Sequence, residues 1–186
     1  IDGTAELLPN YTLEKLMHGC FEEVGVPKCT AEELEYAAAL KATYPPERDV
    51  PGIGAKFDAG IAKQVKALSE NMTKPVYDFL MPQYSGEGFR PGSTDVGDVS
   101  WQTPTAQIEV AAWPAGVPGH SWQVVACGKS SMAHKAMLCA GKVIASAAIE
   151  LLEQPALLEK AKSEFKERSA SGYVCPIEPD AVPIAL

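Results

Sequence analysis

At 186 residues, with 46% hydrophobic and 22% charged side chains, the chain holds enough apolar material for one full core, and a single domain is the expectation at this length. Its net charge of −8 is uneven: residues 1–100 carry 9 basic and 16 acidic side chains, residues 101–186 carry 7 and 8. An acidic chain without a Lys/Arg cluster excludes nucleic acid and anionic membrane as partners.

In chain order, the opening "IDGTAELLPN" is no signal peptide, and no apolar run approaches the roughly 20 residues that span a bilayer. The start without Met predicts a processed terminus or a piece of something longer. "TLEKLMHGCFEEVG" predicts a helix capped by Thr12, with Leu13, Leu16, Met17, Cys20 and Val24 at helical spacing and Gly25 as its stop. "CTAEELEYAAALKATYPP" predicts a second, with Thr30 and Glu33 as a capping box. Leu34, Ala37, Ala38 and Tyr44 form its apolar stripe, and Pro45-Pro46 end it. "ERDVPGIG" reads as loop. "AKFDAGIAKQVKALSEN" predicts a third helix from Phe57, Ile61, Val65 and Leu68, weakened by Gly60. Between Pro75 and Pro91 the chain is loop-rich, with "MPQYSGEGFRPG" an exposed excursion.

The second half changes character. "TAQIEVAAW" and "SWQVVAC" predict adjacent strands over 105–112 and 121–127, joined by the turn "PAGVPGH". "SSMAHKAMLCAGKVIASAAIELLE" predicts a long helix whose small residues allow close packing on a sheet. Pro155 opens a further helix, "ALLEKAKSEFKER", with Leu157, Leu158, Ala161 and Phe165 as its stripe. The Pro-rich tail is extended. The expected fold class is α/β, helices packed on a small sheet.

Cys20, Cys29, Cys127, Cys139 and Cys175 are odd in number and form no C-x-x-C pair, which argues against structural zinc and a disulfide framework. The compartment reads as reducing, hence cytoplasmic. Cys139, among Ala, Met and Leu, fits a small buried hydrophobe.

Polar residues on loops are the chemical candidates. His120 follows "GVPG", where Pro fixes the backbone and Gly permits close approach. It either caps the turn or serves as a neutral ligand. Asp95 and Asp98 in "GSTDVGDVSW" are turn or helix-entry residues, or else orient a ligand or a substrate amide. His134 in "MAHKAML" marks a polar helix end, and His18 is a surface residue of its helix. No H-E-x-x-H, P-loop, G-x-S-x-G or G-x-G-x-x-G occurs. A catalytic zinc takes three protein ligands plus water, and the histidines show no such spacing.

"LLPNYTLEKLMHG", "GSTDVGDVSWQTPTAQ", "PGHSWQ" and "AHKAMLCAGKVIA" together resemble the zinc-dependent amidohydrolase and exopeptidase family, which also holds aminoacylase, carboxypeptidase G and the auxin-conjugate hydrolases. The resemblance covers nearly the whole chain and is weakest at residues 45–90. It implies the C-terminal half of a catalytic domain split by an inserted dimerisation (lid) domain, with residues 1–8 the exit from that lid and 9–186 the half-domain. It implies hydrolysis of an amide bond to an amino acid such as glutamate in a small dipeptide-like substrate. It further implies a divalent metal, zinc or manganese, in the complete enzyme, and a homodimer when complete.

The resemblance places one metal ligand on His120, and substrate contacts on Ser93, Thr94 and Asp95. Thr94 stands where the wider family has glutamate. The remaining ligands and the general base would lie in the absent N-terminal half, since no His-x-Asp or Gly-His-Asp segment occurs here. The expectation is therefore a chain inactive alone, with no metal of its own. A shared concavity is expected between His120 and Asp95 or Asp98. The alternative is a non-catalytic binding or assembly module on the same half-fold.

Overall fold

The computed structural model describes residues 3–45, 59–85, 92 and 94–182. Among them lie seven helices: α1 Tyr11–Val24, α2 Ala31–Lys41, α3 Ala59–Glu70, α4 Val96–Ser100, α5 Trp122–Cys127, α6 Ser131–Glu153 and α7 Pro155–Arg168. Phe57, the loop "ERDVPGIG" and the later part of the excursion before Pro91 lie outside the described residues.

The first three helices form where expected, although α2 ends at Lys41 and buries Leu40 while Ala38 of the expected stripe is exposed. Gly25, at φ 75°, stops α1 and returns its N–H to the Phe21 carbonyl at 2.8 Å. The cap of α1 is Asn10 rather than Thr12. Asn10 Oδ1 accepts the Leu13 N–H at 3.0 Å, a bond asparagine supplies at least as well as threonine. The buried Asn10 also donates through Nδ2 to the Ala161 carbonyl at 2.9 Å. Thr12 therefore sits inside the first turn, where Glu164 of α7 takes its hydroxyl at 2.6 Å. The capping box on α2 is complete: Thr30 accepts from the Glu33 N–H, and Glu33 accepts from the Thr30 N–H at 2.7 Å.

The expected sheet is absent among the described residues; the fold there is all helical. Two distinct physical reasons explain the two missing strands. Over 105–112 the alternation is real, because Ile108 and Val110 pack on the core while Gln107 and Glu109 are exposed. A strand also needs a neighbour to complete its ladder, and this extended segment instead lies on helices. Over 121–127 the β-branched and aromatic run is overruled by its own cap. Ser121 Oγ accepts the Val124 N–H at 3.4 Å, which starts α5. The short helix then sends Gln123 and Cys127, four apart, inward and leaves Trp122 and Val125 outside. Short apolar runs carry no periodicity able to separate these outcomes.

α6 is the spine. One face carries Cys139, Val143 and Ala147 against Cys20 and Phe21 of α1, with Leu80, Ile108 and Val110 closing the cluster. Its first turn sends Met132 into a second cluster with Ala37 and Leu40 of α2, Val76 and Cys127. Cys139 is thus the small buried hydrophobe expected, its thiol donating to the Gly25 carbonyl at 3.4 Å. α7 returns along α1 and α6, with Pro155 at its first position and Ala161 fully buried. The opposite side of α6 leaves Met137, Leu138, Ile144, Ile149 and Leu152 exposed.

Candidate functional site

The sequence singles out residues 92–101, and the structure divides that stretch in two. Ser93 lies outside the described residues. Thr94 and Asp95 are exposed on the turn into α4. The Gly97 N–H bonds to the Thr94 carbonyl at 3.1 Å, and the Thr94 hydroxyl oxygen accepts the Val96 N–H at 3.4 Å. Asp95, in the capping position, makes no side-chain capping bond.

From Gly97 onward the polar side chains are engaged, and their partner is the extended segment 3–8. A carboxylate oxygen of Asp98 accepts the Ala5 N–H at 3.3 Å, its other oxygen at 3.4 Å. Ser100 Oγ accepts the Leu8 N–H at 2.8 Å and donates to the Gly97 carbonyl at 2.5 Å. Trp101 Nε1 donates to the Glu6 carbonyl at 2.9 Å. Gly97 itself is the crossing point: a Cβ there would stand 2.0 Å from the Ala5 oxygen. Only glycine allows two backbones this close. Asp98 also accepts the Tyr173 hydroxyl at 2.7 Å, and that bond pushes the phenol's pKa upward.

His120 sits on the loop before α5, exposed, and no described residue hydrogen-bonds its ring. Its backbone is left-handed at φ 53°, a conformation no other non-glycine described residue adopts. His is among the residues that tolerate this region, at a cost of order 1 kcal/mol. His134 lies in the first turn of α6, exposed, and no described residue hydrogen-bonds its ring.

His18 is the residue sequence reasoning undervalued. It is partly buried, with Nε2 2.8 Å from the Met81 carbonyl and Nδ1 3.8 Å from Glu22. Together with Ile61, Gln64, Leu80 and Pro82 it lines a cavity of about 430 Å³ between α1, α3 and the chain after Leu80. Its place at i, i+4 to Glu22 was visible in sequence; the approach of the Met81 carbonyl was not.

Two carboxylates at helix starts are structural. Glu33 receives Lys135 Nζ at 2.7 Å and the Ser131 hydroxyl at 2.6 Å. The lysine first, then the serine and the Thr30 N–H, hold its pKa down at about 2. The pair thus pins the start of α6 to the start of α2. Glu164 takes the Tyr11 and Thr12 N–H groups at 2.7 and 2.9 Å. Burial would raise its pKa, but the Thr12 hydroxyl and these amides outweigh burial and hold it low. Both negative charges lie at helix N-termini, where the macrodipole favours them.

Among the described residues no three His, Cys, Asp or Glu side chains converge on a point that could hold a metal ion. They therefore do not by themselves fit a catalytic zinc, which takes three protein ligands.

The chain is similar to a p-aminobenzoyl-glutamate hydrolase subunit of Escherichia coli (strain K12). Identity to that relative is 33% over 183 residues, covering 96% of this chain. The chain spans 37% of the relative's length. The resemblance read from the motifs is thus found in a hydrolase subunit. No family model matches the chain, and no solved structure matches it. No helix among the described residues is long and apolar enough to cross a membrane.

Proposed function

We propose that this chain forms the C-terminal part of a metal-dependent amidohydrolase that cleaves the amide bond of p-aminobenzoyl-glutamate or a close analogue. The observation that carries this reading is the 33% identity to the Escherichia coli hydrolase subunit, sustained over 96% of the chain. Support from the fold is the exposed, left-handed His120, whose ring no described residue hydrogen-bonds. When bound, a divalent metal such as zinc or manganese supplies an activated water and polarises the scissile carbonyl.

The chain's own residues then bind and orient. His120 contributes one ligand, its left-handed backbone setting the direction of the ring. Thr94 donates a hydrogen bond through its hydroxyl to a substrate oxygen. Asp95, being anionic, repels the glutamate carboxylates and suits the amide N–H instead. The general base and the other ligands belong to chain outside these residues, so the 186-residue chain alone is inactive.

The test uses the full-length protein with and without His120→Ala. Metal content and hydrolysis of p-aminobenzoyl-glutamate should both fall in the variant, while His18→Ala leaves both unchanged. Full activity and full metal content in His120→Ala overturn the reading.

A further inference from the structure

Asp98 holds three things at one point. Its carboxylate takes the Ala5 N–H from the segment 3–8 and the Tyr173 hydroxyl from the chain after α7, and it sits one turn beyond Asp95 on α4. The segment is fastened twice more, by Ser100 to Leu8 and by Trp101 to Glu6. Two backbones touching across Gly97, with its Cβ position 2.0 Å from the Ala5 oxygen, cannot shift independently. Any displacement of 3–8 therefore moves the turn that carries Thr94 and Asp95. Ionised carboxylate is the group this junction needs, because it is acceptor-only and faces two donors. Asparagine in the same place would set its own N–H₂ against one of them.

We infer that Asp98 is a positioning residue, which locks the segment 3–8 and Tyr173 onto the α4 turn and so fixes the pose in which Thr94 and Asp95 meet substrate. This rests on the function proposed above. It adds that the substrate's fit is governed by a residue that does not touch it, and that chain entering through residues 3–8 communicates with the substrate end of the site.

The experiment compares Asp98→Asn, Tyr173→Phe and wild type in the full-length protein. Two readouts are used: amide exchange at Ala5 and Gly97, and KM against kcat for p-aminobenzoyl-glutamate. Asp98→Asn should speed exchange at both amides at least tenfold. It should raise KM about tenfold, with kcat within twofold and metal content unchanged. Tyr173→Phe should move KM the same way by a smaller factor. A fall in kcat at unchanged KM overturns the inference, as does faster Ala5 exchange with KM unmoved. If wild type does not hydrolyse the amide, the functional reading fails by itself. The exchange data then decide the positioning: Gly97 and Ala5 loosening together support it, and Ala5 loosening alone overturns it.

Discussion

Gly97→Ala tests the crossing of the two backbones through the sign of its effect. On an unobstructed helix, replacing glycine by alanine stabilises by about 1 kcal/mol. Here the added methyl would stand 2.0 Å from the Ala5 oxygen and 3.1 Å from its carbonyl carbon. Ordinary contact would demand a retreat of more than about 1 Å. Ala5, Glu6 and Leu8 cannot retreat without losing their bonds to Asp98, Trp101 and Ser100 at 3.3, 2.9 and 2.8 Å. At about 1 kcal/mol net for each, detachment costs about 3 kcal/mol, less the helix gain of about 1. Retaining the contact by straining it costs a similar 1–3 kcal/mol. The expected net loss is about 2 kcal/mol whichever route the chain takes. Denaturant midpoints on the full-length protein measure it, and Trp101 fluorescence reports whether 3–8 has left its indole N–H. A variant as stable as wild type, or more stable, refutes the crossing.

Three further outcomes are expected. His120→Gly should be more stable than His120→Ala by about 1 kcal/mol in chemical denaturation, since only Ala is penalised by the left-handed backbone; equal stabilities contradict the strain. Glu33, with its pKa lowered to about 2 from the usual 4.5, contributes stability that is present above about pH 4.5 and lost as pH falls toward 2. Glu33→Gln should flatten that acid limb of a stability–pH curve, and an unchanged limb counts against the Lys135 pairing. Glu164→Ala should cost about 2 kcal/mol, because it strips the Tyr11 and Thr12 amides and the Thr12 hydroxyl of their shared acceptor at the α1 N-terminus; a thermal melt with unchanged midpoint refutes that role.

The helices were legible because their signals are local. Thr30 and Glu33 three apart, Gly25 after the last apolar position and Pro155 at a first turn each act within a few residues. The strands were not, because strand identity is a property of pairs. Ile108 and Val110 alternate as a strand would, but nothing in eight residues says whether a ladder partner exists. Trp122, Val124 and Val125 favour strand, yet the Ser121 cap and the burial of Gln123 and Cys127 decide the matter in favour of helix. The exchange of Thr12 for Asn10 as cap has a similar origin: Glu164, some 150 positions away, claims the threonine. At the site, the exposed setting of His120 was legible from its turn residues, whereas its left-handed backbone and the pairing of Gly97 with Ala5 arise only in three dimensions.

The stretch from Thr94 to Trp101 shows how a folded chain sorts polar groups into those it consumes and those it leaves free. Asp98, Ser100 and Trp101 each commit their donors or acceptors to the backbone of residues 5–8. Asp95, three residues before Asp98, commits its carboxylate to no cap. A consumed acceptor cannot serve a ligand without breaking a contact worth about 1 kcal/mol, so the two aspartates that look alike in sequence differ in what they can do. Thr94 is divided: its oxygen takes the Val96 N–H in a long bond, and its hydroxyl proton remains for a ligand. Among the histidines, the His18 ring is engaged by Met81, whereas the His120 and His134 rings have no described partner, and only His120 has a left-handed backbone. The Thr94 proton, the Asp95 carboxylate and the His120 ring are thus left uncommitted by the described residues, as is the His134 ring.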